Sequence, residues 1–561
     1  MRHEERRTAR RARSLSLLFL VALLASACGG GQTANAPSEE AQRGQVEPQQ
    51  VAPPYPVTEM PAGTSANMAA RSEVGSAGLG NYDAREAERD DARESYAKID
   101  ENPFLEAARA PLSTFSIDVD TASYSNTRRF LNEGQLPPRD AVRIEELVNY
   151  FTYDYPQPDG QTPFSVTAEV AECPWNTQHK LVHIGLQGKK VAQEDLPPAN
   201  LVFLLDVSGS MNEQNKLPLV KSSLRTLANQ LTARDRVAVV VYAGASGLVL
   251  PSTPGDQRGE IVAAVERLQA GGSTNGGQGI KLAYQVAQDN FIPNGNNRVI
   301  LATDGDFNVG LTNDNELVSM IEQKRQSNIY LSVLGFGSGN LNDSMMEKLA
   351  DKGNGNYAYI DTQDEARKAL GAQVAGTLYT IAKDVKIQVE FNPAKVAGYR
   401  LIGYENRLLA DRDFNDDKKD AGEIGAGHSV TALYEIVPAG QKVENPGVDE
   451  LRYGRVEPSD TKFNAELLTV KLRYKEPDDN ESKLLTMGLL DQNKSFENAS
   501  DNLRFASAVA GFGMLLRDSN YKGDANFNEV WQIANSSRGN DLKSYRNEFV
   551  ELIEKARRMK S

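Results

Sequence analysis

Apolar and polar positions change their period several times along this chain of 561 residues. Residues Ser113-Thr114-Phe115-Ser116-Ile117-Asp118-Val119-Asp120 alternate, as do Phe164, Val166, Ala168 and Val170, and Leu181-Val182-His183-Ile184-Gly185-Leu186 is an apolar run. These read as strands, with helices expected around Ser123–Leu131 and Ala141–Phe151 and with Pro156, Pro158 and Gly160 as punctuation. From Ala199 the pattern becomes apolar runs separated by helical segments. Strands are predicted over residues 200–206, 236–243, 247–252, 298–304, 329–336 and 356–361. Leu217, Val220, Leu224, Leu227 and Leu231 recur at helical spacing, and further core faces are marked by Leu282, Val286 and Phe291, by Leu317 and Ile321, and by Met345 and Leu349. A closing helix is expected from Gln363 to Ala382. Such alternation implies an α/β fold, a doubly wound, mainly parallel sheet covered on both faces.

Beyond Lys383 the period returns to two. Val385, Ile387, Val389 and Phe391 alternate, then Val430 to Tyr434, then Leu468, Val470, Leu472 and Tyr474. β-rich segments therefore flank the α/β segment on both sides. We expect them to pair as one domain into which the α/β segment is inserted; two separate small modules are the alternative. The tail is a helical region. Leu503, Ala506, Ala510 and Met514 share one face, and Trp531, Tyr545, Phe549, Leu552 and Ile553 fit later helices. The expected divisions are 1–27, 28–110, 111–197, 198–382, 383–480 and 481–561.

The first division reads as a signal peptide. Arg2 to Arg13 is a basic region, and Leu15 to Leu24 is an apolar stretch too short to span a bilayer. Leu24-Ala25-Ser26-Ala27-Cys28-Gly29 resembles a bacterial lipobox, which implies lipidation of Cys28 and anchorage in the cell envelope. Ala25 departs from the usual larger aliphatic residue, and simple secretion by cleavage near Ala27 is the alternative. Residues 29 to about 110 are rich in Gly, Pro, Ala, Ser, Gln and Glu. They hold too little apolar surface to offset ordering entropy and are expected to form a flexible tether. Net charge is −14, and without the first 27 residues 56 basic and 74 acidic residues remain, a net −18. So acidic a chain argues against nucleic acid as a partner. Cys28 and Cys173 are the only cysteines. With Cys28 lipidated no disulfide can form within the chain, and Cys173 is expected to be buried and inert rather than reactive.

The chemistry concentrates at the ends of two apolar runs. Leu201 to Leu205 leads into Asp206-Val207-Ser208-Gly209-Ser210, and Val299 to Thr303 ends on Asp304-Gly305. Gly271-Gly272-Ser273-Thr274-Asn275 adds a hydroxyl on a Gly-rich loop. An acid and hydroxyls just past buried strands suit a hard divalent cation such as Mg²⁺. In open α/β sheets, ligands bind beyond the carboxyl ends of the strands.

This pattern, Asp-x-Ser-x-Ser followed by Thr and then Thr-Asp-Gly, resembles the metal-ion-dependent adhesion site of von Willebrand factor type A domains. The resemblance implies hydroxyl ligands from Ser208, Ser210 and Thr274, with Asp206 and Asp304 binding directly or through water. It implies Mg²⁺, with Mn²⁺ or Ca²⁺ also acceptable. An open coordination position would attract an Asp or Glu of a protein partner. The stretches from Thr114 to Tyr124 and Ile144 to Phe151, and from Asp501 to Arg517, resemble modules that accompany this domain in bacterial secreted proteins. The resemblance covers about Pro111 to Lys560. It implies architecture and metal binding, and no settled activity.

Other candidates carry less. Asp118 and Asp120 are expected to be solvated strand-face carboxylates rather than a second metal site. Asp411 to Asp417 looks like a calcium loop, but its sixth position is Asp416 and its twelfth Gly422, where a helix-loop-helix site needs Gly and Glu. An acidic surface loop is expected. Cys173 and His179 could be imagined as a nucleophile and base, but no third member is recognisable. An enzyme is therefore not expected. The readings that remain are a metal-dependent binding module and an envelope scaffold whose metal is structural.

Overall fold

A computed structural model describes residues 94–117, 120–160, 162–273, 276–305, 314–372, 379–443, 465–477, 479 and 481–560. The signal segment, Cys28, the tether to residue 93, Asp118 and Thr274 lie outside the described residues. Among the described residues, no helix is long and apolar enough to cross a membrane.

The first flank contributes β1 (Leu105–Glu106), β2 (Leu112–Ser116), α1 (Ala122–Asn132), α2 (Ile144–Asn149), β3 (Phe164–Cys173) and β4 (Asn176–Gly188). Folding starts earlier than Pro111. The segment from Glu94 to Ala110, expected to belong to the tether, packs on the body. Phe104 and Ala107 are buried, and the Phe104 ring lies 5.5 Å from that of His179 and 5.8 Å from that of Tyr521. Strand pairing of β1 with β12 and hydrogen bonds from Asn102 to the carbonyls of Leu401 and Gly403 also hold it.

The α/β segment runs β5 (Ala199–Asp206), α3 (Leu217–Ala228), β6 (Arg236–Tyr242), β7 (Ser246–Pro254), α4 (Arg258–Glu266), α5 (Gly276–Asp289), β8 (Asn296–Thr303), α6 (Asp314–Arg325), β9 (Ile329–Phe336), α7 (Asp343–Lys352), β10 (Tyr357–Ile360) and α8 (Gln363–Arg367). The strands lie in the order β10-β9-β8-β5-β6-β7, with only β7 antiparallel. β5 is buried at every position because helices cover both faces. Leu201, Phe203 and Leu205 enter one core with Val220, Leu224 and Leu227 of α3, while Val202 and Leu204 enter the other with Ile280, Ala283 and Tyr284. Connections from β5 proceed toward β7 and then return to β8 on its other side. The topological switch therefore falls between β5 and β8. Phe291, expected on a core face, is 38 % exposed, because α5 ends at Asp289 and its buried side is formed by Ile280, Ala283, Tyr284 and Ala287.

After α8 comes a π-helical turn, Lys368–Ala372, and then β11 (Thr380–Phe391). The closing helix does not reach Ala382. Residues 380–382 are strand, recruited by antiparallel pairing with a later segment. The remaining strands are β12 (Val396–Ile402), β13 (Gly422–Gly425), β14 (Ser429–Pro438), β15 (Glu466–Lys475) and β16 (Lys483–Leu490). The two flanks pair. β2 lies antiparallel to β11 with Phe115 opposite Ile387, and β4 lies antiparallel to β14 with Val182 opposite Tyr434. One sheet has the order β1-β12-β14-β4-β3; another joins β13, β11, β15 and β16, with β2 beside β11. Their inner faces share one core holding Phe115, Val182, Ile184, Ile387, Val389, Tyr434 and Val470.

The outer face of the first sheet packs on the C-terminal helices α9 (Asp501–Arg517), α10 (Phe527–Ser536) and α11 (Tyr545–Lys560). Leu181 and Leu433 meet Phe505, Val509 and Phe549 there. α9 is buried nearly all round rather than on one face, since α2 and the other two helices also pack on it.

Candidate metal centre

Asp206 ends β5 and Asp304 immediately follows the neighbouring parallel strand β8, at the switch point, and both are fully buried. A buried carboxylate needs hydrogen bonds or a counter-charge. Asp206 Oδ1 accepts the Ser208 backbone N–H at 2.8 Å, which turns the chain back over the strand end. Its Oδ2 accepts the Tyr242 hydroxyl at 3.0 Å and the Thr303 hydroxyl at 3.4 Å. These donors are neutral. Burial, helped by the neighbouring Asp304 charge, raises the Asp206 pKa to about 6 despite them. Ionised Asp206 is thus short of positive charge.

Ser208 and Ser210 place their Oγ atoms 3.0 Å apart. Adjacent ligands of an octahedral ion with bonds of about 2.0–2.1 Å lie about 2.9 Å apart, so the two hydroxyls fit one edge of a Mg²⁺ shell. The Gly-rich loop is held beside them. Gly209 N–H donates to Gly272 O at 3.0 Å, and Gly271 N–H to Val207 O at 2.8 Å. Gly272 has φ +84°, a left-handed conformation that favours glycine. Thr274, two residues on, lies outside the described residues. Gly305, with φ +105°, lets the chain after Asp304 pass close to the loop after β9. A Cβ there would come within 2.6 Å of Asn340 O.

One partner was not readable from the motif. Lys216 Nζ donates to Asp304 Oδ2 at 3.1 Å, and both side chains are buried. Thr303 and Tyr242 are donors to Asp206 that no motif marks. Their signal is position alone: Thr303 precedes Asp304, and Tyr242 ends the strand beside β5. Among the described residues, no group of three or more His, Cys, Asp or Glu side chains gathers as a metal site. The donor set of this centre is of another kind, two carboxylates with hydroxyls.

The other candidates resolve into structure. Asp120 is buried, not solvated: Oδ1 accepts the Tyr357 N–H at 2.7 Å and Oδ2 lies 3.4 Å from Arg407. A buried arginine across the fold, invisible in the local pattern, explains the difference. In the 411–417 loop, Asp411 accepts from Thr114 at 2.8 Å, and Lys386 donates to the carbonyls of Asp413 and Asp416. Lysine thus takes the interior of that loop. Cys173 is buried and free, and burial pushes its thiol well above its ordinary value. His179 Nδ1 sits 2.6 Å from Glu435, which also accepts from Trp175 at 3.0 Å and Arg400 at 3.1 Å. His179 is thereby engaged with a buried carboxylate rather than the thiol.

Comparison with known proteins agrees with this architecture. Residues 200–373 match the family model for the von Willebrand factor type A domain, residues 90–183 one described as von Willebrand factor, and residues 376–559 one described as uncharacterized protein YfbK, C-terminal. The chain is 46 % identical over 471 residues to the uncharacterized protein YfbK of Escherichia coli (strain K12), covering 82 % of this chain and 80 % of that protein. It is 25 % identical over 298 residues to the inter-alpha-trypsin inhibitor heavy chain H3 of Homo sapiens, covering 49 % of this chain and 32 % of that one. The solved structure of a von Willebrand factor type A protein from Catenulispora acidiphila covers 72 % of this chain and 92 % of its own, at 16 % identity and a TM-score of 0.41. A domain of this type points to protein–protein interaction or adhesion. With its central domain and both flanks matched, the chain belongs to the YfbK family of von Willebrand factor type A proteins.

Proposed function

We propose that this chain is a lipid-anchored envelope protein that captures a protein partner through a divalent cation. Asp206, Ser208, Ser210, Thr274 and Asp304 would hold Mg²⁺, with Mn²⁺ or Ca²⁺ as substitutes, and an Asp or Glu of the partner would complete the shell. The observation that carries this reading is the pair of hydroxyls 3.0 Å apart beside two buried strand-end carboxylates. Hydroxyl ligands leave the cation under-neutralised, which favours an acidic partner. The anchor rests on the lipobox-like sequence at Cys28, and processing and membrane fractionation of Cys28→Ser test it. Unchanged behaviour of that variant contradicts lipidation.

A structural metal is less favoured, because Lys216 already gives Asp304 a counter-charge within the fold. Catalysis has no support in the Cys173 and His179 surroundings. The test of capture is an envelope pull-down with wild type and Asp206→Ala, in Mg²⁺ and in EDTA. A partner held only by wild type in Mg²⁺ supports the proposal. A partner held equally in all four conditions contradicts it.

A further inference from the structure

Lys216 stands immediately before α3 and is 3 % exposed. A buried ammonium is costly unless paired, so its placement needs a cause. Its stem lies in a slot under the loop that follows β9. Gly337, with φ +75°, forms the wall, and a Cβ there would fall 2.3 Å from Lys216 Cε and 2.6 Å from Cγ. The Tyr359 hydroxyl donates to the Gly337 carbonyl and fixes that wall. The slot aims Nζ at Asp304 Oδ2, 3.1 Å away; Glu213, 3.8 Å away, is mostly exposed.

We infer that Lys216 is a resident counter-cation of the metal centre, weakening its grip on a divalent ion and leaving the loaded centre positive, so that an anionic ligand is drawn to it. The inference rests on the metal-centre reading above and goes beyond it. With the mostly exposed Glu213 set aside as solvent-screened, the buried charges of the centre among the described residues are few. Asp206 and Asp304 bring two negative charges, and Lys216 brings one positive. A divalent ion takes this set from −1 to +1, and one partner carboxylate then takes it to neutrality. Without Lys216 the same steps run from −2 to zero, and then to −1 with the partner. Lysine thus trades metal affinity for a preference for acidic partners. In a buried site such charge differences act at low effective dielectric and are strong.

Lys216→Met keeps the stem in its slot and removes the charge, and Lys216→Arg keeps the charge. Lys216→Gln serves as a second neutral variant, with circular dichroism confirming the fold of each. Calorimetric titration of the chelator-treated mature chain with MgCl₂ should show the neutral variants binding at least about tenfold more tightly than wild type, with Lys216→Arg within about threefold. Acetate binding to the Mn²⁺-loaded protein, followed by water-proton relaxation, should weaken by a similar factor in the neutral variants. Unchanged or weaker Mg²⁺ binding by both neutral variants, or unchanged acetate binding, would overturn the role given to Lys216. A wild type that takes up no Mg²⁺ would instead overturn the metal centre itself.

Discussion

Arg143, just before α2, donates from Nη1 to Asp343 Oδ2 at the start of α7, 2.6 Å away, and both side chains are buried. This pair ties the first flank to the type A domain. Two further buried arginines make comparable ties. Arg407, after β12, reaches Asp120, Glu347 and Asp351, and Arg128 of α1 reaches Asp361, Glu365 and Glu548. Each arginine sits on one part of the chain and takes carboxylates from others. The inserted domain is thus docked by buried charge, while strand pairing joins the two flanks to each other.

Removing one member of a buried pair leaves its partner's charge uncompensated, which costs about 3–5 kcal/mol. Arg143→Ala should therefore lower stability by about that amount, as read by urea unfolding followed by tryptophan fluorescence. Arg143→Met combined with Asp343→Leu should recover only part of the loss, because Glu146, which Arg143 also pairs, stays buried without its cation. A single variant within about 0.5 kcal/mol of wild type would contradict the docking role.

The strand register predicts how the chain can be divided. A fragment of residues 94–197 keeps β2 and β4 but lacks β11 and β14, their partners. Alone it should give a poorly dispersed amide spectrum. Adding a fragment of residues 379–561 should restore dispersion to the Phe115 and Val182 regions. A well-dispersed spectrum from the first fragment alone would show that it folds without those strands.

His183 gives the fold an acid limit. It lies on β4, is almost fully buried, and shares a 2.8 Å hydrogen bond with the Tyr155 hydroxyl. Burial lowers its pKa from 6.5 to about 4. Between these values the unfolded chain takes up a proton that the folded chain refuses. Stability therefore falls as pH falls through this window, and the contribution is whole above pH 6.5. The span is worth up to about 3 kcal/mol. Burial lowers His428 to about 4 as well, so His183→Gln should reduce, and not abolish, the slope of stability against pH between pH 6.5 and 4, measured by urea midpoints. An unchanged slope would show that another group sets it.

How much was legible follows from where the information sits. β5, β8 and β9 read clearly because burial on both faces requires continuous apolar runs, and Asp206 and Asp304 stand out as the first acids after two of them. The pairing of the flanks was legible because period-two segments need partners on both sides of the insertion. The start of β11 was not, since residues 380–382 continue a helix-like composition and become strand only through pairing with β13. Asp120 looked solvated because the arginine that buries it comes from beyond β12. Lys216 had no motif to mark it. Its role is created by a slot whose wall, Gly337, comes from the loop after β9, distant from Lys216 in the chain.

Whether Asp206 and Asp304 hold one divalent cation is decided by Mg²⁺ titration in a calorimeter. Wild type should bind one Mg²⁺ per chain, while Asp206→Ala/Asp304→Ala should bind none at the same concentrations and keep its far-ultraviolet circular dichroism. Metal that binds only the native state should also raise wild-type stability by about 2.7 kcal/mol at a hundredfold excess over Kd. Equal Mg²⁺ affinity in wild type and the double variant would contradict the site.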